Sequence, residues 1–356
     1  MSGAFNGELL VLARQLRKKS QSDVVADLKG RITQGTLSKI EHGLGQPDEG
    51  LKQALAAALR VRPEFFENQT YIRAMPVSYH RARQKLKSKD EAAIHGQSEL
   101  YRINIRKLLD SVEIEHRLPA LTIFDPKIMG GVEKCAQSLR QYWDIPRGPI
   151  KSVTKIIEDA GIVVVPFNFG TKYMDGFCQR ATDAFPSVLY MNTDQSIDRY
   201  RYSMAHELGH LAMHAVPNPN QEIEANQFAA AFLMPEADIK DYLYNLSIQK
   251  LQELKMYWGV SMQSLIYRAW QLGRISDRSK KYYFIEMSKR GWRETEPVEL
   301  SFPEKATALR DIVRLHVNEL GYSIPDLSKI FGIDESELEA TFPVERPKTK
   351  LRLVVG

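Results

Sequence analysis

The sequence has little cysteine and no long apolar run. Its 356 residues include only Cys135 and Cys178, and neither belongs to a C-x-x-C pair, so a disulfide framework is excluded. No run approaches the roughly 18–20 apolar residues of a membrane span. The N-terminus, MSGAFNGELL, lacks the basic start and the apolar stretch of a signal peptide. We therefore expect a cytoplasmic protein without a membrane partner.

The composition instead fits a chain with well-formed cores. Apolar residues make up 43% of the 356 residues, and this length predicts two or three domains. The charge is unevenly distributed. Residues 1–118 contain 20 Lys and Arg against 14 Asp and Glu, whereas the remaining residues contain 29 against 30. An anionic partner, if the protein has one, is expected to bind the first third of the chain.

The stretch Tyr202–His214 contains an H-E-x-x-H motif, formed by His206, Glu207 and His210. On a helix, residues four apart lie on one face, so the two imidazoles can hold one metal ion and Glu207 can reach a water on that ion. The flanking residues are mostly apolar, which indicates a helix buried on most sides. Buried imidazoles and a carboxylate are costly unless a partner pairs them, and a zinc ion would do so.

A catalytic zinc takes three protein ligands and keeps a fourth position for water. The segment Gln221–Met234 has a helical apolar pattern that can pack against the first helix, and it offers Glu222 as the third ligand. Asn226, one turn further on, could orient His206 or His210.

Two other residues compete with this assignment. Glu224 is the alternative third ligand, but about 200° of helix rotation separates it from Glu222, so both cannot face the metal. His214 lies about 12 Å along the helix axis from His206. We expect His214 to line the cleft or to cap the helix end.

The motif, followed by E-x-E-A-N-x-F-A-A-x-F-L-M-P at Glu222–Pro235, resembles the ImmA/IrrE family of zinc endopeptidases. The resemblance extends upstream through Tyr202–Ala205 and covers roughly Leu121–Glu296. It implies an intracellular enzyme with a compact α+β, zincin-like domain and a small sheet of about three strands. Family members commonly cleave a helix-turn-helix repressor that controls mobile-element or DNA-damage genes.

The family pattern also implies a gluzincin-like set of roles. The zinc ligands fall on His206, His210 and Glu222, and the catalytic carboxylate falls on Glu207. Zinc-bound water has a pKa near ~7, so Glu207 could accept its proton and later pass it to the leaving amine. A donor to the oxyanion is also needed. Three residues are candidates for it, and the sequence does not choose among them: Tyr242, Tyr244 and His214.

The first domain has the pattern of a helical bundle, with helices predicted at Leu9–Lys19, Ser22–Leu28, Thr33–His42 and Glu49–Leu59 and a closing turn at Pro63–Phe66. Ser22 is the expected N-cap of the second helix. A short helix, a glycine-containing turn and another helix form the outline of a helix-turn-helix. This outline resembles the Cro/CI-type (XRE) family, with one extra residue in the turn.

That resemblance predicts a DNA-binding surface at the start of the third helix. Gln34, Thr36, Ser38 and Lys39 could touch bases or phosphates, together with Arg31 in the preceding turn. Other basic residues are expected near the DNA backbone: Arg14, Arg17, Lys18 and Lys19. The alternative is a protein-interaction module, because the predicted recognition helix is only mildly basic.

The peptidase domain is predicted to follow a basic linker at His80–Lys89 and a long helix at Asp90–Arg117. Three strands are expected in it, at Gly161–Phe167, Asp175–Arg180 and Pro186–Asn192. We expect the last of these to border the cleft, where an extended substrate could pair with it through backbone bonds. Helices are also predicted there, at Val132–Trp143 and Ile150–Ala160.

Two further helix-turn-helix outlines follow, at Leu251–Leu272 and Ser323–Leu338. The second helix of the former is apolar, which favours packing against the catalytic domain. The latter carries acidic residues that would repel phosphate, so we interpret it as a dimerisation or substrate-docking module. Pro343–Gly356 is expected to be frayed.

These patterns divide the chain into residues 1–68, a helix-turn-helix domain; 69–118, a basic linker and connecting helix; 119–248, a zinc metallopeptidase domain; and 249–356, a helical C-terminal region. The resulting hypothesis is a cytoplasmic zinc endopeptidase that cleaves a transcriptional repressor and binds DNA. The alternatives are a DNA-binding regulator whose metal site is structural, and an enzyme that processes its own linker. A homodimer is compatible with each hypothesis.

Overall fold

The computed structural model describes residues 4–68, 70–73, 86–113, 115–183 and 185–342. The chain separates into two compact units. The first comprises Met1–Met75, Leu86–Ile114 and Thr307–Gly356, and the second comprises Pro76–Lys85 and Glu115–Ala306. Residues 249–306 thus group with residues 119–248, and residues 307–342 group with the N-terminal helices, whereas one C-terminal region at 249–356 was predicted.

The fold is mostly helical with a small sheet, which agrees with the predicted α+β class. Up to residue 110 the described residues form α1 (Gly7–Leu16), α2 (Gln21–Asp27), α3 (Gln34–Glu41), α4 (Glu49–Leu59), a 3₁₀-helix (Pro63–Glu67) and α5 (Ser88–Leu109). Next come α6 (Pro126–Met129), α7 (Val132–Tyr142), α8 (Val153–Asp159), β1 (Val163–Phe167), β2 (Gly176–Gln179) and β3 (Val188–Asn192).

The elements after the sheet are all helical. They are α9 (Ile197–Met213), α10 (Gln221–Leu233), α11 (Glu236–Ile239), a second 3₁₀-helix (Lys240–Leu243), α12 (Ile248–Trp258), α13 (Met262–Gln271), α14 (Asp277–Lys289), α15 (Ala308–Asn318), α16 (Ile324–Phe331) and α17 (Glu335–Thr341). None of the helices in the described ranges is both long enough and apolar enough to span a bilayer. Residues 80–85 of the predicted linker and the predicted frayed end at 343–356 lie outside the described residues.

The short N-terminal helices begin at polar caps. Ser20 caps α2 and forms a capping box with Asp23, so the prediction of Ser22 as the N-cap was wrong by two residues. Thr33 caps α3, and Asp48 caps α4. Each cap satisfies an otherwise unpaired backbone N–H, which allows helices of about two turns to have defined starts.

The core of the first unit depends on a close approach between α1 and α3. A Cβ atom on Gly7 would lie only 2.3 Å from the carbonyl oxygen of Ile40, so only glycine fits there. Leu37 and Ile40 are buried and form the core face of α3. The α3 residues on the other side are therefore left facing solvent.

The predicted long helix at Asp90–Arg117 is shorter in the structure, because α5 ends at Leu109. Leu108 is buried, but Val112, one helical turn further along the predicted helix, is only half-buried. Apolar burial thus stops one turn before the end of the pattern, and nothing in the packing holds the last turns helical.

The sheet has the strand order β1–β3–β2. β1 pairs with β3 in parallel, and β2 pairs with β3 antiparallel. The prediction that an extended substrate pairs with the strand at Pro186–Asn192 was wrong, because β3 is paired on both sides and has no edge for a further strand. The strand with an open edge beside α9 is β2.

The H-E-x-x-H helix α9 lies at the centre of the second unit. It packs against β2 and β3, against α8 and against α10. Met204, Ala205 and Leu208 are fully buried, which confirms the predicted burial. Gly209 lets α10 come close, since a Cβ atom there would lie 3.0 Å from the Phe228 ring.

Candidate metal centre

Three side chains from α9 and α10 converge on one point. His206 and His210 lie one turn apart on α9, and their Nε2 atoms are 3.1 Å apart. Glu222 reaches them from the first turn of α10, with carboxylate oxygens 3.6 Å from Nε2 of His206 and 3.4 Å from Nε2 of His210. One ligand atom from each residue lies within 4.8 Å of the other two. The predicted ligand set is therefore assembled by the fold.

Glu224 does not join this cluster. Its carboxylate lies instead 2.9 Å from Nε2 of His214, and it also accepts a hydrogen bond from Asn218. His214 stands at the C-cap of α9, with its Nδ1 3.0 Å from Nδ1 of His210. The helix rotation that separates Glu224 from Glu222 thus directs it to a different imidazole, away from the ligand atoms.

The carboxylate of Glu207 is buried beside the cluster. The residue is 7% exposed, and its Oε2 atom has no hydrogen-bond partner. The thiol of Cys178, on β2, lies next to it. Burial, followed by the negative charge of Glu207, raises the pKa of Cys178 well above its ordinary value. The thiol therefore stays protonated.

The cluster favours an ionised carboxylate. Burial opposes the charge on Glu222, but its approach to His206 and His210 holds the pKa of Glu222 far below its ordinary value. Burial also opposes protonation of His206, yet Glu222 and the charge of Glu207 outweigh it and raise the pKa of His206. Both shifts are opposed by burial and result from the close approach of the Glu222 carboxylate to the imidazoles.

Asn226 supports the cluster from one turn further along α10. Its side-chain amide donates to the carbonyl oxygen of Glu222 at 2.7 Å, and it contributes to the raised pKa of His206. The hydroxyl of Tyr202 donates to the carbonyl oxygen of Asn226 at 2.9 Å. These bonds tie the first turn of α10 to α9.

The two tyrosines considered for the oxyanion are engaged elsewhere. The ring of Tyr242 stacks on Tyr257 at 5.9 Å. The hydroxyl of Tyr244 accepts a hydrogen bond from Arg274, whose guanidinium lies over the Tyr244 ring. Both rings are about half exposed. Neither one is directed into the ligand cluster by these contacts.

A cavity of about 1130 Å³ lies next to the N-terminal half of α9, and its wall includes none of His206, Glu207, His210 and Glu222. Tyr202 and Asn226, one turn from His206 and Glu222 respectively, form part of its wall. The opposite wall comes from α13 and from residues 293–300. Its lining is rich in hydroxyl, amide and charged side chains, so it suits a polar, extended ligand better than an apolar one.

Sequence reasoning missed Arg180, at the end of β2. Its guanidinium donates to three carbonyl oxygens in the last turn of α9, those of His210, Leu211 and His214. The available signal was an arginine at the end of a strand, since a cation can interact favourably with the negative end of a helix dipole. The sequence did not indicate which helix end would lie beside this strand. Cys178 was missed for the same reason.

The predicted DNA-contact residues lie in the first unit. Gln34, Thr36 and Lys39 are exposed on α3, and Ser38 is half-buried. Arg31 is exposed in the preceding turn, where it donates to the carbonyl oxygen of Gly50 at 3.2 Å. The structure thus leaves most of these side chains open to solvent.

The basic residues of α1 behave differently. Arg14 is bound to Glu41, Arg17 to Glu337, Lys18 to Asp90 and Lys19 to Asp27, at 2.5–2.7 Å. Their position near a DNA backbone stays a prediction, but each of the four side chains has an acidic partner in the fold. These partners lie between 8 and 320 residues away in the sequence.

Comparison with protein families gives one match. Residues 157–269 match the peptidase family described as the IrrE N-terminal-like domain. A comparison of the chain with curated proteins found no match. The matched segment contains the three strands and the helices α9 and α10, and hence all three residues of the cluster. This part of the chain is similar to the IrrE-like peptidases, which supports a hydrolytic, peptidase-type function.

Proposed function

We propose that the protein is a zinc-dependent endopeptidase that hydrolyses a peptide bond in a transcriptional repressor and binds DNA through its N-terminal helix-turn-helix. The observation that carries the proposal is the cluster of His206, His210 and Glu222, with the buried carboxylate of Glu207 beside it. The family match of residues 157–269 supports the peptidase part of the proposal.

The chemistry of the donor set fits zinc. Two imidazoles and one carboxylate are a common ligand set of catalytic zinc sites, which leave a fourth position for water. In the cluster, the Nε2 atoms of His206 and His210 face each other at 3.1 Å, and Oε1 of Glu222 is buried without a hydrogen bond. A cation at the point where these atoms converge would bind all three ligand atoms, and a buried acceptor without a partner costs about 1–3 kcal/mol.

His206, His210 and Glu222 would hold the zinc ion. When bound, it would supply a Lewis acid that polarises the scissile carbonyl and acidifies a water molecule. Glu207 would hold the proton taken from that water and deliver it to the leaving amine. Its position supports this role, because the buried Oε2 atom is not committed to another donor and the neighbouring Cys178 thiol is protonated.

The substrate is proposed to approach along the open edge of β2. β2 offers backbone groups on the side not used by β3, and an extended peptide can add to such an edge. β2 packs against α9, the helix that carries His206 and His210.

The peptidase proposal is tested with Glu207→Gln, which keeps the shape of the side chain and removes the base. Loss of a positioned general base typically lowers the rate about 10²–10⁴-fold. The zinc-loaded full chain would be incubated with the helix-turn-helix repressor encoded beside its own gene, and new termini would be mapped by mass spectrometry. Zinc content would be measured on the same samples, and we expect it to be unchanged.

Glu236→Gln is the matched control, because Glu236 is an exposed carboxylate that pairs with Lys240. Equal cleavage by wild type and Glu207→Gln would contradict the role of Glu207. Zinc binding without cleavage would favour a regulator with a structural metal site. Fragments of the chain itself in wild type, but not in Glu207→Gln, would indicate self-processing.

The DNA-binding part rests on the exposed polar face of α3. Wild-type protein should bind duplex DNA with an affinity that falls as salt rises, because phosphate contacts release counterions. Fluorescence anisotropy at several salt concentrations measures this dependence. Affinity that does not change with salt, or no binding at low salt, would support the interaction-module alternative.

A further inference from the structure

A chain of hydrogen-bonded side chains leads away from the metal cluster on the side opposite the ligand atoms. Nδ1 of His210 lies 3.0 Å from Nδ1 of His214, and Nε2 of His214 lies 2.9 Å from a carboxylate oxygen of Glu224. We propose that His214 and Glu224 are positioning residues that fix the ring of His210 in the tautomer that can bind the metal. This inference rests on the proposed zinc site.

The proton positions follow from the acceptor at the end of the chain. An ionised carboxylate can only accept, so the proton of the neutral His214 ring must be on Nε2, facing Glu224. Nδ1 of His214 then carries an unshared pair and accepts a hydrogen bond. The proton of His210 must therefore be on Nδ1, which leaves Nε2 unprotonated beside Glu222 and the other histidine.

The reverse arrangement is unfavourable at both ends. A proton on Nδ1 of His214 would leave its Nε2 pair facing the Glu224 carboxylate at 2.9 Å. His210 would then have to accept at Nδ1 and carry its proton on Nε2, the atom needed by the metal. A single carboxylate thus decides the tautomers of two rings and the availability of one ligand atom.

The fold holds these rings in place without help from solvent. The side chains of His210 and His214 are only 5% and 4% exposed, so water cannot readily replace either hydrogen bond. Arg180 fixes the backbone of the same turn by donating to the carbonyl oxygens of both histidines. Asn218 donates to Glu224 at 3.2 Å and holds its carboxylate towards His214.

Loss of such a partner should weaken metal binding. Partners of a liganding histidine orient its ring and raise its basicity, and their removal typically costs about 10–100-fold in metal affinity. We expect that range for Glu224→Ala and for His214→Phe, which keeps an aromatic ring but removes the acceptor. Glu224→Gln should retain most of the affinity, because its amide oxygen can still accept from His214.

The affinities would be measured on the full chain by competition for zinc with a chromogenic chelator. Glu236→Gln is again the matched control, and circular dichroism would establish that each variant is folded. Equal affinity for wild type, Glu224→Ala and His214→Phe would overturn the positioning role while leaving the zinc site intact. No zinc binding by the wild type would instead contradict the proposed function.

A second measurement needs no variant. Long-range proton–nitrogen correlation spectra of the zinc-loaded wild type distinguish the two tautomers of each histidine. The proposal requires a proton on Nδ1 of His210 and on Nε2 of His214. A proton on Nε2 of His210, or on Nδ1 of His214, would overturn it even if a variant failed to fold.

Discussion

The charged side chains of the metal cluster and those of helix α1 differ in whether they have partners. At the cluster, buried carboxylate oxygens of Glu207 and Glu222 have no hydrogen-bond partner. On α1, the charged groups are matched by acids from other helices of the first unit, including the buried Glu41 with Arg14 and Glu337 with Arg17. Buried polar atoms thus lack partners at the cluster, whereas the charged groups on α1 are paired.

This difference distinguishes side chains that could bind a ligand from side chains that stabilise the fold. A buried acceptor without a partner costs free energy, and a cation bound at the cluster would offset that cost. A paired charge on α1 instead holds helices together and contributes little to an external field. The surplus of 20 basic over 14 acidic residues in the first third of the chain therefore overstates the positive charge available to an anionic partner.

The largest expected effect on stability comes from the substitution Glu222→Ala, which removes one residue of the metal cluster. A ligand that binds only the folded state stabilises it by about 4 kcal/mol at a free concentration 1,000 times its dissociation constant. Zinc should therefore raise the thermal midpoint of the wild type clearly and that of Glu222→Ala little or not at all. Differential scanning calorimetry with and without zinc measures the shift. An equal zinc-induced shift in both proteins would exclude Glu222 as a ligand.

A smaller effect on stability is expected from the substitution Arg14→Met, which removes the ion pair of Arg14 with Glu41. Arg14 holds Glu41 through two hydrogen bonds, and the Glu41 side chain is 3% exposed. Removing one partner of a buried pair typically costs about 3–5 kcal/mol. Gln21 still donates to Glu41, so we expect about 2–3 kcal/mol in the free energy of unfolding of the first unit.

Urea titration followed by hydrogen exchange in α1 and α3 would measure this loss. Lys39→Met is the matched control, because Lys39 is exposed on α3 and the same kind of side chain is replaced. If Arg14→Met cost no stability and instead weakened DNA binding, the distinction between structural and functional charges would fail on α1.

The sequence predicted the cluster well because its geometry is local. The spacing of His206 and His210 is fixed by the pitch of one helix, and the apolar residues around them require that helix to be buried. Glu222 needed one further step, that the next helix packs against the first. The apolar pattern of Gln221–Met234 supplied that step, and Gly209 and Phe228 make the contact in the structure.

The parts that sequence could not predict depend on contacts between distant segments. The strand order decides that β2, and not β3, has the open edge, and no local pattern encodes that order. Likewise, the spacing of Arg14 and Arg17 on α1 shows a basic face, but their acidic partners lie 27 and 320 residues away. The sequence therefore identifies the charged residues, but only the structure identifies their ion-pair partners.

The smallest effect on stability is expected for Lys39→Met. This variant allows a direct comparison between an exposed basic side chain and the ion-paired Arg14. Lys39→Met should change the free energy of unfolding by no more than about 0.5 kcal/mol, because the side chain is exposed. If Lys39 contacts a phosphate, the slope of DNA affinity against salt should fall by about one, and binding should weaken uniformly across sequences. Anisotropy titrations of wild type, Lys39→Met and Arg14→Met would give the three slopes. A lower slope for Arg14→Met with an unchanged slope for Lys39→Met would mean that the paired charges, and not the exposed one, meet the DNA.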